Sequence, residues 1–264
     1  MRYCIFILFS ILSTLTFAQG ISVSPSRIFF TGEPGQTVTR SITFTNPSSH
    51  AMSFVSRIQD WDRDSTGVKM YYPTETLSQS NSAWLRLSSP TVIVPAGASQ
   101  TVNLSMQIPS ETQKTQLTHS MLFFTQVKEQ QPAQNAGLGI NVLLEVGIQV
   151  YHVPTELQRG DLEFLAFEDR GMAQNKTGSV RKMAVKIKNT GEINKDAYVR
   201  FELTDTQSGE EIPIKAIPIA MLPGAQQWVT VDLPGDLNGH FLVVAMLDAG
   251  TEYDLKIAEK EIDY

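Results

Sequence analysis

Asp60, Asp62 and Asp64 place three carboxylates two residues apart, the spacing with which a calcium-binding loop opens. An EF-hand loop also needs glycine at its sixth position and glutamate at its twelfth, where this chain has Ser65 and Tyr71. The run therefore reads as an acidic turn ahead of Thr66 and Gly67. The four histidines, His50, His119, His152 and His240, are far apart and lack metal-ligand spacing. His119 and His152 read as exposed or as satisfied by turns. A G-x-S-x-G nucleophile elbow, a P-loop and a dinucleotide fingerprint are all absent. The expectation is a protein without catalysis, metal or cofactor.

What remains is chemistry of shape, and it concentrates in residues 139–151. Strand side chains alternate between faces, so Ile140, Val142, Leu144, Val146, Ile148 and Val150 form one apolar row. Leu143 falls on the opposite face with Asn141, Glu145 and Gln149. A row this long lies either in the middle of a sheet or along an edge, where it offers itself to a partner. It ends at Val153 and Pro154.

The first eighteen residues read as a cleaved secretory signal: Arg2, an apolar run from Ile5 to Phe17, and the small-residue site Thr16-Phe17-Ala18. That run is shorter than the ~20 residues of a membrane-spanning helix, and no span is expected. The only cysteine, Cys4, lies within it, so the remaining chain has no disulfide and depends on its cores. After cleavage 20 basic residues face 27 acidic ones, a net charge of −7. This balance offers no basic face for nucleic acid.

Elsewhere apolar and polar residues alternate over five to eight positions and then break at Gly, Pro, Asn or Ser, as in Thr37–Thr45 and residues 101–108, 183–188 and 228–233. No long run shows helical spacing, so the pattern predicts an all-β protein of short strands. Two half-chains repeat one rhythm. Asn46-Pro47-Ser48 and Val94-Pro95-Ala96-Gly97 in the first correspond to Asn189-Thr190-Gly191 and Leu222-Pro223-Gly224 in the second. The expectation is two immunoglobulin-like β-sandwich domains in tandem, 19–155 and 156–264, after the signal 1–18, with the joint at Val153, Pro154 and Thr155. Residues 130–139 read as a mobile loop ahead of the apolar row.

These residues resemble the periplasmic pilus-assembly chaperones of the PapD type. Val23-Ser-Pro-Ser-Arg27-Ile-Phe-Phe30 is similar to that family's first strand, and Thr37–Thr45 with Asn46 to its second. Residues 82–90, 94–97, 101–108 and 120–126 follow the family order, residues 139–154 resemble the last strand of its first domain, and 185–191 the opening of its second. The resemblance implies a periplasmic chaperone that lends a strand to pilin-like or other surface-protein subunits, with an outer-membrane assembly factor as a further partner. The subunit-binding residues it implies are Arg27, Ile140, Val142, Leu144, Val146, Ile148 and Gln149. The family holds the subunit's terminal carboxylate with two basic residues. Arg27 matches the first, and Gln149 stands where the second is a lysine; an amide donates a hydrogen bond without the charge that makes such bonds about twice as strong. Two other readings remain open at this point: an envelope structural or adhesive module whose apolar row is satisfied internally, and a glycan-binding domain with Trp61, Tyr71 and Tyr72 as a platform.

Overall fold

The computed structural model describes residues 20–111, 116–127, 143–176 and 178–264. The expected signal, Ile140, Val142 and the expected loop 130–139 lie outside the described residues. Among those described, regular structure is all β apart from one 3-10 turn, Ser82–Trp84. One sheet runs β1 (Ser22–Ser24), β3 (Thr37–Thr45), β8 (Ser99–Gln107), β6 (Leu85–Leu87). A second runs β2 (Arg27–Phe30), β10 (Glu145–His152), β9 (Thr118–Gln126), β4 (Met52–Arg63), β5 (Lys69–Tyr72), with β7 (Thr91–Val94) also on β4. Their inner faces meet in a core that includes Phe30, Phe44, Phe54, Leu104, Phe124, Ile148 and Val150.

The remaining strands pair among themselves. β11 (Leu162–Asn175), β12 (Gly178–Asn189) and β16 (Gln226–Pro234) form one sheet. The other runs β14 (Glu211–Pro213), β13 (Lys195–Asp205), β17 (His240–Asp248), β18 (Lys256–Asp263), with β15 (Ile217–Met221) also on β13. Their core includes Met183, Val185, Ile187, Val199, Phe201, Leu203, Leu233 and Val243. The architecture is thus two immunoglobulin-like sandwiches in tandem. The alternation that predicted short strands is the alternation of core and solvent along each one, as in β13, where every other residue from Lys195 to Leu203 is buried.

The repeated rhythm of the sequence has a physical cause. Asn46 and Asn189 are both wholly buried at the end of a strand. The Asn46 amide donates to the carbonyls of His50, Val94 and Pro95 at 2.7–3.2 Å, and its oxygen accepts from Ser48. The Asn189 amide donates to Ile193, Met221 and Leu222 at 2.8–3.4 Å, and its oxygen accepts from the Gly191 N–H. In each sandwich one asparagine ties its own turn to a Pro-Gly turn about thirty to fifty residues away, supplying partners to buried carbonyls that have no strand beside them. Asn46→Ala and Asn189→Ala should each lower unfolding stability by about 2–3 kcal/mol, read as a lower urea midpoint with unchanged slope. A loss below half of that at both positions would show that the turns hold themselves.

Candidate functional site

β10 is bonded on both flanks over only half its length. β9 pairs with it antiparallel from Glu145 to His152, whereas β2 pairs with it in parallel only from Gln149 to His152. β2 begins at Arg27 because the preceding segment, β1, belongs to the opposite sheet and pairs with β3. The chain crosses between sheets at Pro25 and Ser26.

Backbone groups alternate in direction along an antiparallel strand. The Leu144 carbonyl accepts from Gln126 N–H on β9, while Gln149 and Val153 donate their N–H groups the other way, to Ser26 and Phe30. By that alternation the N–H and C=O groups of Glu145 and Gly147 turn to the flank that β2 does not reach. No strand covers that flank among the described residues.

The apolar row is divided in the same place. Leu144 and Val146 are half-buried, but Ile148 and Val150 are 0% exposed in the sandwich's own core. Ile148, expected on the partner-facing row, therefore packs inward and has no surface to offer. On the other face Glu145 accepts from Arg57 at 3.0 Å and from the Thr125 hydroxyl at 2.6 Å. The Thr125 bond, followed by Arg57, holds its carboxyl below the usual range. Arg57 in turn lies 4.1 Å over the Phe123 ring. Gly147 makes room for that ring, since a Cβ there would sit 3.1 Å from it. Among the described residues this half of the strand is therefore paired from the β9 side only.

The other half leads into the joint between the sandwiches. Arg27, paired in register with Gln149, forms an ion pair with Asp196 of β13. Gln149 is buried, and its side-chain oxygen accepts from the Tyr151 phenol at 2.6 Å. Tyr151 stacks on Phe29 at 5.1 Å and meets Trp61 at 6.2 Å; burial pushes its phenol well up. Trp61, Met121, Phe123 and Tyr151 of the first sandwich form one buried cluster with Leu222 of the second. Trp61 is 1% exposed, so it packs the joint and is closed to a sugar.

Trp61 carries two cations on its ring, Arg63 at 5.5 Å and Lys69 at 5.8 Å, which are register partners on β4 and β5. Burial lowers the pKa of both. Between them the hairpin turn leans on the second sandwich: the Ser65 carbonyl accepts from Trp228 N–H at 2.7 Å and the Thr66 carbonyl from the Gln227 amide at 3.4 Å. Asp64 shapes this turn by accepting from Thr66 and Val68, the acidic-turn role read from sequence. Asp60 is buried and engaged by Thr76, Leu77 and Ser80. No group of three or more His, Cys, Asp or Glu among the described residues could hold a metal, and no described helix is long and apolar enough to cross a membrane.

No family model matches the chain, and no curated protein matches its sequence. Solved structures do. The CsuC–CsuE chaperone–tip adhesion subunit complex of Acinetobacter baumannii aligns over 91% of this chain and 97% of its own at 11% identity, with a TM-score of 0.50. The complex of SafA pilin with the SafB chaperone of Salmonella enterica covers 92% and 97% at 13% identity and 0.49. The CupB2 chaperone of Pseudomonas aeruginosa covers 90% and 99% at 10% and 0.47. The chain has the two-domain PapD-like chaperone fold. At these identities the likeness is one of fold, and what the site does must come from its own residues.

Sequence reading had pointed to Arg27 and Gln149, and both lie at the joint. It missed Arg63, Lys69 and Asp196. The signal for the first two was present as Trp61/Arg63 and Lys69/Tyr71 alternating about the turn at Asp64 and Gly67, which is a hairpin pattern. Nothing local marks Asp196. His119 and His152 are buried, 5% and 1% exposed, and so not surface residues; His152 meets the Gly32 carbonyl of the turn after β2 at 3.4 Å, whereas His119 meets the Trp61 carbonyl within β4 at 2.9 Å.

Two predictions follow from this geometry. Gly67 has φ +85°, and a Cβ there would fall 2.3 Å from the Gln227 amide. Gly67→Val should cost about 1–3 kcal/mol and loosen the joint, seen as faster proteolysis at residues 153–161; unchanged cleavage would show that the hairpin is no strut. Burial lowers the pKa of both His119 and His152 below 6.5 in the folded chain, so the unfolded chain binds protons first. Their contribution to stability is complete above about pH 6.5 and is lost as pH falls below it toward the folded values. Urea midpoints measured downward from pH 7 should fall, and His119→Gln with His152→Gln should flatten the fall between pH 6.5 and 5.

Proposed function

We propose that this protein is a periplasmic chaperone that stabilises pilin-like or other surface subunits by strand donation from residues 140–146. Delivery by a signal at 1–18 and a division of the sandwiches at residue 155 belong to the same reading. The observation that carries it is the half-finished strand. Glu145 and Gly147 turn main-chain donors and acceptors to an open flank, beside the partly exposed Leu144 and Val146. A subunit short of one strand has the complementary need, with an apolar groove and unpaired edges of its own. Main-chain bonds set the register and aliphatic side chains fill the groove, each burial contributing about 1.5–3 kcal/mol.

An envelope module with an internally satisfied row draws on the burial of Ile148 and Val150. The open flank ahead of them favours donation. The fold supports a chaperone in general; the donor residues are read from the site. They are now Leu144 and Val146, with Ile140 and Val142 from the sequence. Arg27 and Gln149 lie farther along the same strand pair, where a chain end entering the joint would meet them.

The decisive experiment is co-expression with the subunits encoded beside this chain. Leu144→Asp with Val146→Asp should reduce co-purification at least a hundredfold, given about 3–6 kcal/mol lost from two side chains, while the urea midpoint stays near that of the parent. Undiminished capture by the folded double variant would end the strand-donation reading.

A further inference from the structure

One sheet face of the second sandwich departs from the way this chain finishes its other outer faces. Outside the first core, β3 and β8 meet solvent through a ladder of small polar pairs, Thr39 with Ser105, Ser41 with Asn103 and Thr45 with Ser99. Outside β12 and β16, Lys182 pairs with Asp232 at 2.6 Å and Lys186 lies over the Trp228 ring. β17 is different. From Phe241 to Leu247 every residue is apolar. Phe241, Val243, Ala245 and Leu247 fill the core, whereas Leu242, Val244 and Met246 turn outward, stay partly exposed and belong to none of the cores. A sheet that leaves one face to water alternates apolar with polar residues, and a strand apolar throughout is typical of a sheet covered on both sides.

Carboxylates flank this outward row on both sides. Register places Glu202 of β13 and Glu259 of β18 opposite Val244, and Glu261 opposite Leu242. Glu211 of β14 stands beside Thr204 one strand further on. These four glutamates make no ion pair among the described residues. Arg200, the cation on this face of β13, is already occupied by Asp248 at 3.0 Å, and His240 by Asp263. At its other end the row meets Ile257 and Tyr198, each more than half exposed. The face is an apolar centre between two acidic rows.

We propose that this face of the second sandwich docks a cationic amphipathic helix of another protein, one whose apolar stripe lies between lysines or arginines. The charge pattern argues against other occupants. A second copy placed face to face would set these glutamates against themselves, and an anionic lipid surface or a nucleic acid would meet the same repulsion. A helix suits the spacing. Its width of about 10 Å matches the two strand spacings, about 10 Å, that separate the rows of Glu202 and Glu259. Its apolar stripe covers Leu242, Val244 and Met246 while its cations reach the glutamates on either side. Apolar burial supplies the affinity, and the charges set partner choice and the rate of encounter. None of these strands carries the donor edge, so the docking face does not depend on strand donation.

The test titrates the full chain with a helical peptide of leucine and lysine, and with the same peptide carrying glutamate for lysine, while methyl resonances are followed by NMR. The lysine peptide, and not the glutamate one, should bind saturably with shifts centred on Leu242, Val244 and Met246. Glu202→Gln with Glu259→Gln and Glu261→Gln should weaken binding about tenfold, the sum of three exposed charge pairs. Leu242→Thr with Val244→Thr and Met246→Thr should weaken it at least as much, at a urea midpoint near the parent's. If that variant does not fold, the glutamine triple, made on exposed side chains, decides alone. Glu111→Gln with Glu156→Gln and Glu163→Gln removes as much charge elsewhere and should leave binding unchanged. Equal losses in both glutamine triples would reduce the effect to net charge and overturn the proposal, as would shifts spread over other faces. Sedimentation of the chain alone gives the remaining outcome: a dimer that the threonine triple dissolves would assign the face to a second copy and also overturn it. Leu144→Asp with Val146→Asp should bind the lysine peptide as the parent does, so strand donation and the docking face fail independently.

Discussion

The interaction on which the rest depends is the pairing of β2 with β10, and above all its shortness. Four residues, Arg27–Phe30, meet Gln149–His152, and the chain before them has already crossed to the other sheet. Had β1 continued alongside β10, Glu145 and Gly147 would be bonded on both sides and the sandwich would be closed. Instead, among the described residues, the crossing leaves one half of β10 paired on one flank and the other half paired on both. Open edges expose unpaired N–H and C=O groups and are usually blunted by charge, bulge or cover. Here the charge on the strand, Glu145, is drawn onto the outward face by Arg57 and Thr125, and among the described residues no strand pairs with the flank beside it.

The bonded half of β10 serves a different purpose. It carries Gln149 and Tyr151 to the joint, where a buried aromatic cluster runs from Phe29 through Tyr151 to Trp61 and on to Leu222 of the second sandwich. One strand therefore has, among the described residues, a single paired flank at its start, and at its end it reaches the second domain. The β4–β5 hairpin completes the joint through Ser65 and Thr66, whose carbonyls accept from Trp228 and Gln227. The joint rests on apolar contact, a few backbone bonds and the Arg27–Asp196 ion pair.

Much of this was legible in the sequence. Alternation marked β3, β8, β12 and β16 because each has one face in a core and one in solvent. The repeated Asn and Pro-Gly turns were legible because one asparagine performs the same bonding in each sandwich. β11 was missed because two register shifts, at Phe164/Ala166 and Asp169/Met172, break its alternation. The apolar row of residues 140–150 was seen, but its division was not. A one-dimensional pattern gives the face of each side chain and is silent on how far the neighbouring strand extends. Asp196 was invisible for a related reason, since its meaning lies 169 positions away at Arg27.

That last pair also shows why charge counting along a chain misleads at a domain joint. The protein is acidic overall, with 27 acidic and 21 basic residues, and composition alone gives no sign of a local group of cations. Three of those basic residues nevertheless come together by register: Arg63 opposite Lys69, and Arg27 opposite Gln149 on a strand that also carries Tyr151. Screening limits the reach of exposed charges to about 10 Å at 0.1 M salt, so net charge governs solubility and local register governs binding. An acidic chain can still bring cations together where the fold supplies few carboxylates beside them, and here Asp196 is the one paired with Arg27.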